Sequence, residues 1–220
     1  MNTCIVSAGV GKWYPQGVAR LERSLVYHGY AGDMMLYTDL PPGSPTHEQM
    51  PYGMKLAALK SAVDLGYERI LWLDASIVCI RHPKDMFDAI GHDGHYLYTS
   101  GYNCAQTVSD ACLRIFGITR DEAEKIPECA SNVVGFDLGN PVGRDFYQRW
   151  LKASQDGSFK GSREHDNQST DRRFLFHRQD QSAASLICHQ LGIPLHNPHG
   201  LCCDYHPTMP ESIIFYRQGL

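Results

Sequence analysis

The fold of this chain is decided by the stretch Arg69-Ile70-Leu71-Trp72-Leu73-Asp74-Ala75-Ser76-Ile77-Val78. Its first half is an apolar run without polar alternation, which is typical of a strand buried on both faces in a sheet covered by helices. The run ends abruptly on the carboxylate of Asp74. In open α/β sheets, ligands bind outside the carboxyl ends of the strands. We therefore expect Asp74 to lie at a ligand-binding edge.

The segments around this strand alternate between strand and helix patterns. Residues 4–8 and 34–38 are predicted strands, and apolar residues at helical spacing predict a helix over 16–27 between them. Further strands are predicted at 96–99 and 131–136. This β-α-β order predicts a single-domain α/β protein with a mostly parallel central sheet flanked by helices.

We expect two halves within this single domain. Residues 1–100 carry the predicted ligand edge, and residues 101–220 form the second half of the same domain. From 155 to 177 the sequence turns polar, with only scattered apolar anchors. We interpret this segment as an exposed, mobile loop that acts as a lid.

Composition and charge exclude several classes of protein. The 220 residues are 43% hydrophobic and 20% charged, which is ordinary for a soluble globular domain of this length. The net charge of −4 argues against a nucleic-acid-binding protein, because neutralising phosphates needs a surplus of Lys and Arg. Nucleic acid is therefore not an expected partner, and a local basic patch stays open.

The amino terminus and the cysteines give an expectation about compartment. Residues 1–7 run straight into a predicted strand without a basic, then apolar, export signal. No apolar run approaches the roughly 18 residues of a membrane span. We expect a cytoplasmic protein without an integral membrane segment, whose eight cysteines are reduced and packed as small hydrophobes.

The glycine-containing loop Ala8-Gly9-Val10-Gly11-Lys12 follows the first predicted strand. A phosphate-binding P-loop would need Gly in the place of Val6 and Ser or Thr in the place of Trp13, and the third glycine of a dinucleotide fingerprint is absent. Two interpretations remain open: a flexible turn, or a loop whose backbone meets a nucleotide.

Three stretches, in this order along the chain, carry a resemblance to a known family. They are residues 51–83, with Lys55 on a helix before the strand that ends in Asp74-Ala75-Ser76; residues 130–136, with Asn132; and residues 177–182, with Asp180-Gln181 at a helix start. Together they resemble the GT-A fold glycosyltransferases that use nucleotide sugars. In that family a lysine-bearing helix precedes an apolar strand ending in Asp-x-Asp, and an Asn-x-Gly strand and an Asp-Gln helix follow.

The resemblance implies a donor site and a chemistry. It implies transfer of a sugar from a nucleoside diphosphate sugar, with a UDP-sugar favoured, to an acceptor hydroxyl. The donor-binding residues expected on this basis are Ser7, Tyr14, Lys55, Asp74 and Ser76.

Two residues are expected to face the sugar and the acceptor. By resemblance these catalytic residues are Asp180 and Asn132, with Asp180 as acceptor-side base or as a group that positions the sugar. Structural alternatives stay open: a helix cap for Asp180, a solvated helix charge for Lys55, and a packing role for Tyr14.

The metal site departs from the family pattern, because Ser76 stands where the second aspartate is expected. A hydroxyl is a weaker, neutral ligand, yet Mg²⁺ or Mn²⁺ needs only oxygen ligands and keeps several waters. We expect Asp74 and Ser76, two residues apart on one side of an extended segment, to share the cation with a later residue. The candidates for that residue are His196, His199, Asp204 and His206, and metal-independent transfer stays open.

Two further classes of function remain as alternatives. A sugar-phosphate nucleotidyltransferase has a similar architecture, but the Arg-Leu and Pro-Lys that continue its signature do not follow Gly11 in register. A non-enzymatic zinc-binding module would use the run from His196 through Cys202-Cys203 to His206, because thiolates and imidazoles suit Zn²⁺. The spacing matches no common zinc finger.

Overall fold

The computed structural model describes residues 2–11, 13–161, 169–197, 200–204 and 213–218, with the backbone alone for Asp204. The strands are β1 Thr3–Ala8, β2 Asp33–Tyr37, β3 Arg69–Leu73, β4 Ile77–Cys79, β5 His95–Tyr96, β6 Thr99–Asn103, β7 Pro127–Cys129, β8 Val133–Asp137, β9 Cys202–Asp204 and β10 Phe215–Arg217. The helices are α1 Tyr14–Tyr27, α2 Gly53–Asp64, α3 Lys84–Asp93, α4 Cys104–Thr107, α5 Asp110–Phe116, α6 Arg120–Ala123, α7 Pro141–Ala153 and α8 Asp180–Leu191.

The central sheet has five strands in the order β2-β1-β3-β8-β5. β1 pairs in parallel with β2 and β3, whereas β8 pairs antiparallel with both β3 and β5. Strands β2, β1, β3 and β5 therefore point the same way, and β8 alone in this sheet opposes them. The expected α/β fold with a mostly parallel sheet is confirmed, and the predicted strand at 131–136, observed as β8, makes the sheet mixed.

The β3 strand is buried on both faces, as its apolar run predicts. Ile70 and Trp72 pack in one hydrophobic cluster with α2, α7 and α8, and Leu71 and Leu73 pack in a second cluster with α1 and α3. Alternate side chains of a strand point to opposite faces, so one strand serves both clusters. Each fully buried side chain of this size contributes about 1.5–3 kcal/mol to the hydrophobic stabilisation of the fold.

The chain leaves the central sheet immediately after β3. β4 joins a three-stranded sheet, β4-β10-β9, in which β10 pairs antiparallel with β4 and parallel with β9. The strand predicted at 96–99 is also divided, because β5 pairs with β8 while β6 pairs with β7 in a separate hairpin. Tyr98 between them makes an isolated bridge with His196.

The glycines of the first loop are explained by packing. A Cβ on Gly9 would lie 2.5 Å from the carbonyl oxygen of Tyr14, so Gly9 allows the first turn of α1 to approach the end of β1. Gly11 has a φ of +105°, a conformation that favours glycine. The loop therefore needs both glycines as a turn, whether or not its backbone also contacts a ligand.

The cysteines are buried, as expected for thiols that pack as small hydrophobes. All eight cysteines are buried, and burial raises the pKa of Cys4 and of Cys79 to about 12, so these two stay protonated at neutral pH. In the part of the chain that the structure describes, no helix is long and apolar enough to cross a membrane.

Candidate active site

The site lies at the edge of the sheet where β1 and β3 end and β8 begins. The register Leu73↔Val133 places Asp74 opposite Asn132, and the Asp74 N–H donates to the Asn132 carbonyl oxygen at 2.8 Å. Because β8 runs antiparallel to β3, the residue just before β8, Asn132, lies beside the residue just after β3, Asp74. Two of the predicted site residues, 58 positions apart in sequence, meet in this way.

Asp74 begins a turn rather than continuing an extended segment. Its carbonyl oxygen accepts a hydrogen bond from the Ile77 N–H at 2.9 Å, which closes a four-residue turn, Asp74-Ala75-Ser76-Ile77. The expectation that Asp74 and Ser76 lie on one side of an extended segment is therefore wrong. The physical reason is that β4 belongs to another sheet, so the chain must change direction here. The Gln218 N–H donates to the Ser76 carbonyl oxygen at 3.0 Å and ties β10 to this turn.

The Asp74 carboxylate is held from one side and open on the other. Its Oδ1 accepts a hydrogen bond from the Trp72 indole Nε1 at 2.6 Å and lies 3.4 Å from the Lys55 ammonium. Its side chain is nevertheless 32% exposed. Asp74 therefore combines a fixed orientation with access for a ligand or a cation.

Lys55 is a buried cation at the centre of the site. Its residue exposure is 2%, and its Nζ donates to Asp180 Oδ2 at 2.6 Å and to the carbonyl oxygen of Ser131 at 2.8 Å. The ammonium also lies 5.2 Å from the centre of the Trp72 ring. Burial alone would lower the pKa of Lys55, but attraction to Asp180 and Asp74 outweighs it and raises the pKa, so Lys55 stays charged. The alternative of a solvated helix charge is excluded.

Asp180 starts α8 and faces Lys55 instead of capping its own helix. The N-cap residue of α8 is Gln179, and no side-chain cap bond is present there. The backbone oxygen of Asp180 accepts a hydrogen bond from the Trp150 indole at 3.0 Å. Burial raises the pKa of the Asp180 carboxyl, and the Lys55 ammonium opposes this rise. The structural alternative of a helix cap for Asp180 is wrong, because its carboxylate is used across the site.

Both helices of this ion pair begin at strained backbone. Tyr52, at the N-cap of α2, has a φ of 60°, and Gln179, at the N-cap of α8, has a φ of 46°. They are the two non-glycine residues with positive φ among the residues that the structure describes. Such conformations cost about 1–3 kcal/mol each and persist where the surroundings impose them, often at functional sites.

The remaining predicted residues lie at different depths. The Asn132 side chain accepts a hydrogen bond from the Tyr98 hydroxyl at 2.7 Å, and Asn132 is 8% exposed. Ser7 is fully buried beneath the edge, whereas Tyr14, the first residue of α1, is 51% exposed. Asn132 therefore joins the Asp74 cluster, Tyr14 lies on the surface near Tyr52, and Ser7 is buried within β1.

The predicted metal ligands are only partly within the described residues. His199 and His206 lie outside them, and the side chain of Asp204 is not described. The backbone of Asp204 pairs with Arg217, which pairs with Ile77, so Asp204 lies two strand spacings, about 10 Å, from β4. Within the described ranges, no three His, Cys, Asp or Glu side chains come together as a metal site. The described residues alone thus assemble neither the expected cation site nor a zinc site.

Several site residues have no distinctive sequence pattern. Ser131 supplies a carbonyl oxygen to Lys55, and its N–H donates to the Gln181 side chain at 3.2 Å. Partial burial raises the pKa of the Tyr52 hydroxyl, with further contributions from Asp180 and Asp74, so Tyr52 borders the same cluster. Both residues lie inside the stretches that carry the family resemblance, and this was the available signal.

The ends of the predicted lid are anchored in the core. Ser158 and His177 are fully buried, and the His177 ring bonds the Ser158 carbonyl oxygen at 3.1 Å and the Ser109 N–H at 3.2 Å. Residues 162–168, the centre of the predicted lid, lie outside the described residues. The lid itself stays a prediction, with its two ends joined at its base.

Comparison with solved structures finds glycosyltransferases. One is a glycosyltransferase involved in the glycosylation of the major capsid of PBCV-1, with a TM-score of 0.54 and 12% identity over 99% of this chain and 92% of that chain. Another is the bifunctional glycosyltransferase WbbM in its apo form, with a TM-score of 0.54 and 8% identity over 98% of this chain and 45% of that chain. A third is the galactosyltransferase LgtC in complex with donor and acceptor sugar analogs, with a TM-score of 0.50 and 10% identity over 97% and 86%.

These likenesses concern structure and not sequence. No family model matches the chain, and no curated protein sequence matches it. At identities of 8% to 12%, the structural likeness shows the fold. The chain has the GT-A-like glycosyltransferase fold that its sequence predicts.

Proposed function

We propose that this protein is a glycosyltransferase that moves a sugar from a nucleoside diphosphate sugar to an acceptor hydroxyl, with a UDP-sugar as the favoured donor. One observation carries the proposal: buried Lys55 bridges Asp180 and Asp74 at the ligand edge of the sheet, 2.6 Å and 3.4 Å away. The fold that holds this cluster is shared with three glycosyltransferases. The partly exposed Asp74 of this cluster can hold a divalent cation for the diphosphate of a nucleotide sugar.

The reaction makes defined demands on the site. The bond from the anomeric carbon to the diphosphate breaks with oxocarbenium character, the acceptor oxygen bonds to that carbon, and the acceptor proton is lost. Negative charge collects on the departing diphosphate, so fixed positive charge near its oxygens lowers the barrier.

Asp74 would act on the donor through its open carboxylate. One oxygen is engaged by Trp72 and Lys55, and the partly exposed group can offer a further lone pair to Mn²⁺ or Mg²⁺. Such a cation, when bound, neutralises charge on the diphosphate. Ser76, His199, Asp204 and His206 remain the proposed additional ligands, and the donor and water would complete the coordination.

Asp180 is better suited to positioning the sugar than to removing the acceptor proton. It is 2% exposed, and its Oδ2 is hydrogen-bonded to Lys55 at 2.6 Å, so its carboxylate is shielded from the hydroxyl of an acceptor. The buried ion pair would position the sugar indirectly, by fixing the partly exposed Asp74 that faces the donor. Asn132, opposite Asp74 at the sheet edge, would face the acceptor, and exposed Tyr14 would stack on the base.

The test is the isosteric substitution Asp74→Asn, assayed for donor hydrolysis and transfer with a panel of nucleotide sugars in the presence of Mn²⁺. We expect a loss of about 100-fold or more in turnover, since the carboxylate that would hold the charge-neutralising cation is removed. The melting temperature should hardly change, because Asn can still accept the Trp72 hydrogen bond. Asp88→Asn, an exposed aspartate on α3, is the matched control.

Three outcomes would contradict the proposal in different ways. Near-normal turnover in Asp74→Asn would remove Asp74 from the donor site. A wild-type protein that neither binds nor turns over any nucleotide sugar would refute glycosyl transfer itself. Release of pyrophosphate from a nucleoside triphosphate and a sugar phosphate would instead identify a nucleotidyltransferase.

A further inference from the structure

The hairpin of β6 and β7 is bulged, and the bulge carries an exposed aromatic ring. Between the two register pairs of these strands, three residues of β6, 100–102, stand opposite Glu128 alone. Gly101 lies within the bulge and has a φ of +89°, a conformation that favours glycine. The Ser100 hydroxyl donates to the buried Glu128 carboxylate, whereas Tyr102 is 37% exposed. Bulges re-aim side chains and are frequent next to active sites.

Tyr102 belongs to an aromatic surface built around Arg178. The Arg178 guanidinium lies 5.0 Å from the centre of the Tyr102 ring and 4.8 Å from the centre of the Phe176 ring. The two rings meet edge to face, with their centres 5.7 Å apart. We call these three side chains the hairpin platform. It combines aromatic surface with a planar set of hydrogen-bond donors.

The backbone that supports the platform is fixed by the short helix α4. The N–H groups of Leu175 and Phe176 both donate to the Gln106 carbonyl oxygen, at 2.8 Å and 3.3 Å. Asn103 begins α4 with a capping box, and Tyr102 directly precedes that cap. The two segments that supply the platform are thus attached to one helix. Its side chains are therefore positioned before a ligand binds, which lowers the entropic cost of binding.

The charge of Arg178 is balanced within the protein. Its guanidinium forms an ion pair with Glu128 Oε2 at 3.6 Å, and the Glu128 side chain is fully buried. Burial raises the pKa of the Glu128 carboxyl, and the Arg178 guanidinium opposes that rise. The distance of the ion pair exceeds that of an ordinary hydrogen bond, so the N–H groups of Arg178 can still donate to a ligand. The pair offers donors without net charge, which suits hydroxyl groups better than an anion.

Three segments of the chain connect the platform to the candidate active site. Arg178 stands two residues before Asp180, and β6 directly follows Tyr98, whose hydroxyl donates to Asn132. Glu128 stands four residues before Asn132, so their Cα atoms are at most about 14 Å apart. A saccharide whose reacting hydroxyl lies near Asn132 can therefore extend its next sugar unit toward the platform.

From this arrangement we infer that the hairpin platform binds an uncharged sugar unit of the acceptor, so that the acceptor is a saccharide of at least two units. The apolar C–H face of a sugar ring packs on an aromatic ring, and its hydroxyl oxygens accept hydrogen bonds from the guanidinium. Tyr102 and Arg178 thus determine specificity on the acceptor side. The inference rests on the proposed function, since it names the class of acceptor for the same transfer.

The experiment is sugar transfer by the full chain onto an array of immobilised saccharides, read by mass spectrometry. The donor is the nucleotide sugar that wild type hydrolyses fastest in Mn²⁺-containing buffer. The array holds single sugars, neutral oligosaccharides and oligosaccharides with carboxylate groups.

The KM for the best acceptor, in soluble form, is then compared among wild type, Tyr102→Ala, Tyr102→Phe, Arg178→Lys and the control Tyr27→Ala. Tyr27 is matched to Tyr102 because it is also an exposed tyrosine, at 84%. It is the last residue of α1 and lies outside the platform.

We expect wild type to extend neutral oligosaccharides and to extend single sugars poorly. Tyr102→Ala should raise the KM for the acceptor about three- to tenfold, the range for one lost aromatic contact, with little change in kcat. Tyr102→Phe should stay near wild type because it keeps the ring. Arg178→Lys keeps a positive charge opposite Glu128 but loses the planar fork of donors, so it should raise this KM about tenfold. Tyr27→Ala should match wild type.

Four results would overturn the inference while leaving the proposed function in place. They are an unchanged acceptor KM in Tyr102→Ala, equal extension of single sugars and oligosaccharides, a preference for the carboxylate-bearing saccharides, and hydrolysis of the donor without extension of any saccharide on the array. If wild type neither hydrolyses nor transfers from any nucleotide sugar, the proposed function fails, and the inference fails with it.

Discussion

The two sides of the Asp74 turn are built in opposite ways. The closed side consists of Lys55, Ser131, Trp150 and Asp180. The open side consists of Trp13, Tyr14, Gln16 and Arg23, which line a cleft along α1. On the closed side the polar groups are buried and hydrogen-bonded to one another, whereas Trp13 and Tyr14 on the open side are 66% and 51% exposed.

The difference separates stability from binding. A closed-side group cannot be removed without leaving a buried charge or donor unpaired, so its loss lowers the free energy of unfolding. An open-side group is solvated before a ligand binds, so its loss mainly lowers the affinity for that ligand. Substitutions on the two sides should therefore change different measurements.

The largest expected effect is on the closed side. Lys55→Met leaves the Asp180 carboxylate buried without its cation, and we expect a loss of about 3–5 kcal/mol in the free energy of unfolding. Urea denaturation measures it. Lys60→Met is the control on the same helix, because Lys60 is 53% exposed in its side chain and pairs with Asp64 on the surface. That change should cost at most about 1 kcal/mol. Equal losses in the two variants would show that the buried ion pair contributes nothing special to folding.

A smaller effect is expected for pH, and it concerns His177, a buried group at the base of the polar segment. Burial lowers the pKa of His177 to about 4, against an ordinary value of about 6.5 in the unfolded chain. The unfolded state therefore binds the proton first as pH falls, so this contribution is complete above about pH 6.5 and declines from there toward pH 4. Between pH 7 and pH 5 we expect a loss of about 2 kcal/mol from this group.

His177→Gln, compared with wild type by urea denaturation at both pH values, isolates that contribution. The variant is less stable at pH 7 but should lose about 2 kcal/mol less than wild type when the pH falls to 5. His92→Gln on the exposed end of α3 is the control and should follow wild type. Parallel pH profiles for wild type and His177→Gln would show that the buried ring does not titrate in this range.

The smallest effect on stability is expected on the open side. Tyr14→Ala should change the free energy of unfolding by no more than about 0.5 kcal/mol, as surface substitutions usually do. If Tyr14 stacks on the base, the same change should weaken a bound nucleoside by about tenfold, since stacking of a base on an aromatic ring is worth about 1–3 kcal/mol. Melting curves and titration measure the two quantities. A large loss of stability would place Tyr14 in the packed core and would contradict the expectation that open-side substitutions leave the free energy of unfolding nearly unchanged.

Local patterns were sufficient for much of the fold. The β3 strand was predictable because its residues are apolar on both faces, and the α8 helix because small and apolar residues continue from Asp180 to Leu191. The position of Asp74 directly after the end of β3 followed from the end of the apolar run. Each of these features depends on neighbours within one element.

Local patterns could not predict features that depend on two segments far apart in the sequence. The antiparallel pairing that sets Asp74 opposite Asn132 needs the register of β3 against β8. The contact of Lys55 with Asp180 joins residues 125 positions apart. The turn after Asp74 depends on β10, since it is this strand that draws β4 into a second sheet.

The tryptophans give the site an optical signature. The chain has three, and each touches a different part of it: Trp13 lines the α1 cleft, the Trp72 indole bonds the Asp74 carboxylate, and the Trp150 indole bonds the backbone of Asp180. Indole emission responds to nearby charge and to the hydrogen bond of its N–H. Intrinsic fluorescence of the unlabelled protein is therefore a direct reporter of events at this one edge of the sheet, and replacing the tryptophans one at a time by phenylalanine would assign the signal to either side of the turn.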